Sequence, residues 1–293
     1  MPGSLGRAAA LAVALIVPWR PGGVRAQDAA AALLAAERGL AETSDRAGLA
    51  RALVKGLPAD AVLVWPGAPV AAGPDAVRLL AAQAALDSLR LSWQPLGLEL
   101  SGDSTLGITW GIAIVTPRSA PAAPRVGRFI HAWRRHEGRW TLAALMLGGV
   151  IPPGATVIPS GMPLQRSPLA AAGPAGPFVG ADLAFARLAS DSGAGVAFAR
   201  WAAPEAVMVD GTGLLVRGPE AVGALVAGPA AWRWHPVAAG AATSGDLGWT
   251  VGEAVIAPEG GAPIYSKYLT VWRRLPDGSV RFVTDGGNAR PPP

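Results

Sequence analysis

Apolar positions along the chain follow two rhythms, and each rhythm occurs twice. Ala-rich stretches at 28–42 and 46–55, and again at 179–190 and 194–202, read as paired helices. Each pair leads into a short extended run, "AVLVW" or "AVMVD", and then into Gly73-Pro74-Asp75 or Gly218-Pro219-Glu220. Proline suits the first helical position, whose amide is unpaired in any case. The acid behind it complements the positive end of the dipole. These tripeptides therefore open a further helix. Four apolar strands follow, at about 91–100, 106–116, 126–135 and 139–146, and then at 232–242, 247–257, 264–274 and 279–285. The turns "RHEGR" and "LPDGS" divide the last pair in each set, as hairpin chemistry requires. Helices followed by an antiparallel meander give an α+β arrangement.

The recurrence extends to residue identity. At an offset of 145, "ADAVLVWPGAPVAAGPDAV" (59–77) falls on "PEAVMVDGTGLLVRGPEAV" (204–222) without a gap. At 141, Trp93 and Pro95 meet Trp234 and Pro236, and "LGITWG" meets "LGWTVG". At 139, Phe129, Trp133, Arg134 and Arg135 meet Tyr268, Trp272, Arg273 and Arg274. The drift in offset is what changes in loop length produce, and the order holds throughout. A duplicated unit is the reading. On 265–272 one face carries Tyr265, Lys267, Leu269 and Val271, and the other Tyr268, Thr270 and Trp272. A sheet with neither face plainly solvated needs cover on both. Helices cover one face, and the sister sheet is expected on the other, as an intramolecular pseudo-dimer.

The resulting division is a signal peptide at 1–26, a first domain at 27–147, a Pro/Gly-rich linker at 148–177, a second domain at 178–288 and a disordered tail at 289–293. The N-terminus places a positive residue before the ten-residue apolar run "AAALAVALIV", then prolines, then Val24-Arg25-Ala26, a small-x-small cleavage pattern. The run is too short to span a bilayer. The expected location is periplasmic or secreted, without stable membrane insertion after cleavage. The sequence pI is about 10.6, but removing the arginines of that segment leaves 22 basic against 20 acidic residues. No basic run exceeds a pair, so no concentrated phosphate-binding patch is present and nucleic acid is not an expected partner. Cysteine is absent, which excludes disulfides and thiolate metal sites. Three histidines without HxH or HExxH spacing provide no metal ligand set. No GxGxxG follows a strand, so no cofactor is expected.

The segments "ADLAFARLASDSG", "AVMVDGTG", "RGPEAV", "SGDLGWTVG" and "KYLTVWRRLPDGSVRFVTDGG" resemble the SnoaL-like branch of the nuclear transport factor 2-like superfamily. The likeness covers nearly all of 178–288, and 28–147 more loosely. It implies two tandem cones, each a curved antiparallel sheet wrapped on N-terminal helices, in the cystatin-like α+β barrel manner, with an internal pocket. It implies no single chemistry, since that superfamily holds isomerases, dehydratases, cyclases and binding modules. Steroid isomerases of this fold carry a base aspartate after the first strand, which falls on Asp210. Their helix tyrosine falls on Ala186 and their strand acid on Thr270. The same positions in the first copy are Trp65, Ala41 and His131. Proton abstraction next to a carbonyl needs both a base and an oxyanion donor, so this mechanism lacks parts in both copies.

Asp210 precedes a Gly-Thr-Gly turn and is open to two roles, a turn aspartate bonding its own backbone or a general base with raised pKa. Lys267 and Asp285 lie on paired strands and are expected to form an ion pair at the pocket mouth, either a rim salt bridge or a pair that orients a ligand. His131 is either a packed strand histidine or a titrating pocket group, and His235 follows the same logic. Trp93, Trp133, Trp234 and Trp272 recur in register, which suits packing. Trp110 and Trp249 sit in matching LG-x-T-x-G frames at shifted positions and are expected on opposite faces. With Trp65, Trp110, Trp234, Trp249 and Tyr268 as aromatic walls, a flat apolar ligand fits, and the same residues equally suit a packed core. Three functions remain open: binding a small apolar or aromatic molecule without catalysis, lyase or isomerase action through Asp210, and protein assembly by cones filled with side chains.

Overall fold

The computed structural model describes residues 24–118, 123–150, 156–160, 173–210 and 212–293. The first half runs α1 (Val24–Ala47), α2 (Leu49–Gly56), β1 (Val62–Val64), β2 (Ala71–Ala72), α3 (Pro74–Ala81), β3 (Leu89–Leu100), β4 (Leu106–Pro117), β5 (Arg125–His136) and β6 (Arg139–Gly148). The second half repeats that order as α4 (Gly176–Ser192), α5 (Ala194–Trp201), β7 (Val207–Val209), β8 (Leu215–Arg217), α6 (Pro219–Val226), β9 (Ala231–Ala241), β10 (Leu247–Ala257), β11 (Ile264–Arg274) and β12 (Val280–Ala289). The fold is α+β, built from two curved antiparallel sheets with helices packed on them. Neither sheet closes into a barrel: the strand orders are β2-β1-β6-β5-β4-β3 and β12-β11-β10-β9. In the first half β1 pairs in parallel with β6. In the second, β7 and β8 form a separate two-stranded ladder.

The helices lie on the sheets through one face each. On α4 the buried positions Phe178, Asp182, Phe185 and Ala189 follow the spacing i, i+4, i+7, i+11 of a single helical face. On α1 the corresponding face is Ala29, Leu33, Glu37 and Ser44. Burying each apolar side chain of this kind stabilises by about 1.5–3 kcal/mol, so these faces hold the helices on the sheets.

Two glycines in each "LG-x-T-x-G" frame make the approach possible. A Cβ on Gly107 would lie 2.4 Å from Leu33, and one on Gly248 would lie 2.3 Å from Phe178. A Cβ on Gly111 would lie 2.1 Å from the Gln94 carbonyl oxygen, and one on Gly252 2.3 Å from that of His235. Gly111 and Gly252 sit across from Pro95 and Pro236, at the register shifts of their ladders. The frames therefore record helix contact and a bulge, twice over.

The opposite faces of the two sheets meet in one apolar cluster, which includes Trp110, Ile130 and Met146 of the first half and Trp249, Leu269 and Val271 of the second. Trp110 and Trp249 occupy the same face, not opposite ones. Their aligned positions differ by two, and a strand returns to the same face every second residue. Reciprocal contacts join the β3–β4 and β9–β10 turns: Gly102 N donates to Asp246 (2.8 Å) and Thr243 N to Thr105 Oγ1 (3.1 Å). Asn288 Nδ2 donates to the Val64 and Leu147 carbonyls at 2.9 and 2.7 Å.

Two boundaries differ from expectation. The chain end at 289–293 is not free of structure: β12 continues through Ala289, and Arg290 donates its amide to Tyr265 O (3.0 Å) and pairs with Glu253 (3.2 Å). The ion pair and the Tyr265 ring under its guanidinium hold it there. Within the expected linker, Val150 is buried and the Val157 amide donates to Gln83 Oε1 (3.1 Å). Of the expected signal segment, residues 1–23 lie outside the described residues, and Val24–Ala26 open α1. Among the described residues no helix is long and apolar enough to cross a membrane.

Candidate functional site

A cavity of about 290 Å³ lies in the second half, between its helices and the concave face of its sheet. Its walls are apolar: Phe185 and Phe198 from α4 and α5, Leu225 and Val226 at the end of α6, and Trp232 and Ile256 from β9 and β10. Its polar end gathers Tyr268, Thr270 and Asp285 from β11 and β12 with Arg128 from β5 of the other half.

The register of β11 on β12 sets Thr270 opposite Asp285, and Thr270 Oγ1 donates to Asp285 Oδ2 at 2.5 Å. The other carboxylate oxygen has no hydrogen-bond partner among the described residues. Burial pushes the Asp285 carboxyl up to about 6, against the Thr270 hydrogen bond and the Arg128 charge. Arg128 donates from Nη1 to Val209 O (3.3 Å) and from Nη2 to Gly287 O (2.9 Å). Its Nε is sealed and unpartnered. Burial lowers its pKa, while Asp285 and Asp210 oppose the shift.

Behind Tyr268 stands Asp182 of α4, fully buried. It accepts from Tyr268 Oη at 2.9 Å and from Trp234 Nε1 at 2.8 Å. Burial raises Asp182 to about 6, against hydrogen bonds from Thr250, Trp234 and Tyr268. Tyr268 is driven well above the usual phenol value by burial and by the adjacent Asp182.

The first half carries the counterpart of this network, packed among aromatic rings. Glu37 aligns with Asp182 at the offset of 145 and is also fully buried. It accepts from Thr109 Oγ1 (2.5 Å) and Trp133 Nε1 (3.0 Å) and contacts His131 Nδ1 at 2.9 Å. His131 is enclosed by the rings of Trp93, Phe129 and Trp133, at centroid distances of 5.3, 4.6 and 6.2 Å. Trp133 Nε1 also donates to Thr109 Oγ1 at 3.0 Å, as Trp272 Nε1 does to Thr250 Oγ1 at 2.8 Å. Burying a carboxylate costs several kcal/mol unless its lone pairs are taken up, and in each half three or more groups take them up.

The expected site residues divide accordingly. Trp234, Tyr268, Asp285 and Asp210 line the cavity. Trp65, Trp110, His131, Trp249 and Lys267 do not. Trp65 and His131 are sealed inside the first half, and Trp110 and Trp249 pack between the sheets. Lys267 makes no ion pair with Asp285. Its register partner on β12 is Asn288, and it points to the other face of β11. There Nζ donates to Asn288 Oδ1 and to Ala289 O (2.9 Å). Burial, aided by Arg290, drives its pKa well below the usual amine value.

Asp210 sits at the cavity mouth in a turn. One carboxylate oxygen accepts from Thr212 N (2.7 Å), Thr212 Oγ1 (2.7 Å) and Leu214 N (2.9 Å). The Thr212 hydroxyl first, and then the Leu214 amide, hold its pKa below the ordinary carboxylate value. A general base poised near neutrality needs the opposite shift, so the geometry disfavours Asp210 in that role.

Asp182, Glu37 and Arg128 were not reached from the sequence. Extending the offset of 145 back into the first helices sets Glu37 on Asp182, each four residues after an apolar position of the buried face. An acid kept there in both copies is the signal that would have found them. Arg128 had no such signal, because it serves the other half. Among the described residues no group of three His, Asp or Glu side chains gathers to hold a metal ion.

No protein-family model matches the chain, and no curated protein matches it. Solved structures do resemble part of it. A nuclear transport factor 2-like protein with a cystatin-like fold from Novosphingobium aromaticivorans is 17% identical over 39% of this chain and 79% of its own, with a TM-score of 0.32. A Mycobacterium tuberculosis protein in complex with estradiol-17beta-hemisuccinate is 16% identical over 38% of this chain and 92% of its own, also at 0.32. A ketosteroid isomerase-like protein from Erwinia carotovora atroseptica is 12% identical over 40% of this chain and 97% of its own, again at 0.32.

Proposed function

We propose that this chain is an exported binding protein for a small apolar or aromatic molecule, made of two tandem SnoaL-like units, the second of which keeps an open apolar pocket. The single observation that carries this reading is the cavity of about 290 Å³, with aromatic and aliphatic walls and a polar end. Ligand pockets have this composition, a mostly apolar lining with a few placed polar groups. The first unit acts as a scaffold, its equivalent space taken by Glu37, His131 and their ring neighbours. The reciprocal turn contacts, 102 with 246 and 243 with 105, support an internal pseudo-dimer, since a two-fold interface uses the same patch on both sides. Export to the periplasm or beyond rests on residues 1–26 alone.

The test is native mass spectrometry of the protein recovered after export from its own cell, beside the variant Ala254→Phe. Ala254 lines the cavity, and a ring there fills it. The expected result is a co-purified small molecule on the natural chain and none on the variant. Equal adducts on both, or none on either after incubation with aromatic probes, would overturn the reading.

One observation favours a second reading, an isomerase or lyase. Asp285 has one free carboxylate oxygen in an apolar cavity and a pKa raised to about 6. Any proton transfer in this pocket falls to Asp285 rather than Asp210.

A further inference from the structure

Resting on the binding reading above, we infer that the ligand of the second-half cavity carries a hydrogen-bond-donating, cationic end, as an arylalkyl amine does, and that Asp285 receives it. The hydrogen bonds already made at the polar end support this. Tyr268 spends its hydroxyl proton on Asp182, so it offers the cavity lone pairs only. Thr270 spends its own on Asp285. Ser266 gives its proton to Asn288 O at 3.0 Å. Both donors of the Asn288 amide go to the first half, and its oxygen receives Lys267. What these four residues and Asp285 leave toward the cavity is a set of acceptors, of which the free oxygen of Asp285 is the strongest.

Charge agrees with that census. The cavity is lined by two carboxylates, Asp285 and Asp210, against one guanidinium, and Asp182 stands behind Tyr268. Arg128 is the obvious competitor as an anion site. However, one N–H of each terminal nitrogen is tied to a backbone carbonyl, its Nε is sealed, and the charge of Asp285 already acts on it. A ligand carboxylate would therefore have to share this guanidinium with Asp285, which stands beside it as counter-charge. An anionic ligand would meet Asp285 in a water-poor space, where like charges repel most strongly. An ammonium placed beside Asp285 completes a charge-assisted hydrogen bond.

The space fits two fused rings: a cavity of about 150 Å³ holds benzene, and this one is about 290 Å³. A matched series then separates the possibilities: 2-naphthylmethylamine, 2-naphthalenemethanol, 2-methylnaphthalene and 2-naphthoate, titrated calorimetrically into the full chain at pH 7.5. The amine is expected to bind at least about tenfold tighter than 2-naphthoate, with the alcohol between them, since a charge-assisted bond is worth about twice a neutral one. Asp285→Asn should bring the amine down to the level of the alcohol while 2-methylnaphthalene binds as before, which shows that the variant is folded. Naphthoate binding as tightly as the amine, or an amine affinity unchanged in Asp285→Asn, sinks the inference while leaving the binding reading intact. Binding by none of the four sinks both. The amine-against-acid comparison on the natural chain stands even if the variant does not fold.

Discussion

Replacing Asp182 with asparagine should remove a pH-dependent penalty, so that the variant gains on the natural chain as pH rises toward neutrality. The carboxyl is raised from 3.8 to about 6, chiefly by burial. At about 1.4 kcal/mol per pK unit, this costs the ionised form roughly 3 kcal/mol. Between about pH 4 and pH 6 the folded chain keeps this proton and the unfolded chain has lost it. The folded state binds more protons there, so its stability falls as pH rises through that window. Below 3.8 both states hold the proton and the penalty is absent. Above about 6 the penalty is complete. Asparagine keeps a carbonyl for Trp234 or Tyr268 and never ionises. The unfolding free energy of Asp182→Asn minus that of the natural chain should therefore rise by roughly 3 kcal/mol between pH 3 and pH 7. At roughly 2–4 °C per kcal/mol for a chain near this size, the midpoint difference moves by about 6 °C or more. Tryptophan-monitored melts of both chains across that range provide the test. Lys267, and Asp285 apart from its coupling to Asp182, cancel in the difference. A difference that stays flat with pH would refute the reasoning, because it would mean that Asp182 is not held up by its burial.

Two further substitutions probe the frame around the site. Gly252→Ala places a methyl 2.3 Å from the His235 carbonyl oxygen, which overpacks the bulge and should cost about 1–3 kcal/mol in urea unfolding. A loss below about 0.5 kcal/mol would show that the ladder yields there. Lys267→Met removes an amine whose pKa is driven well below its usual value. In the natural chain, stability gained from that lowered pKa is present above 10.5 and lost as pH falls toward the folded value. The variant's midpoint should therefore gain on the natural chain as pH falls from 9 toward 6, and a gain that is the same at both pH values would refute the assignment.

Most of the fold was legible because it is written in period and punctuation. Alternating apolar residues, the Gly-Pro-acid helix openings and the hairpin turns each act locally, and β10 and β11 run over the same residues that the alternation marks. The site was less legible, because its groups are chosen by contacts across the fold. Lys267 and Asp285 are on paired strands, but pairing fixes only the neighbouring strand. Register decides the partner, and here it is Asn288 for one and Thr270 for the other. Asp182 was hidden in a helix whose neighbours suggest only packing. The chain end misled for a related reason: three prolines read as a tail, while the arginine before them is tied by charge to Glu253.

The reach of Arg128 into the other half has a consequence for what can be cut apart. A chain that begins at residue 176 retains every strand and helix around its hollow, yet it leaves the Val209 and Gly287 carbonyls without their donor. Asp285 also loses a nearby positive charge. The hollow that opens in one half is thus finished by the other, and the first half takes part in shaping it.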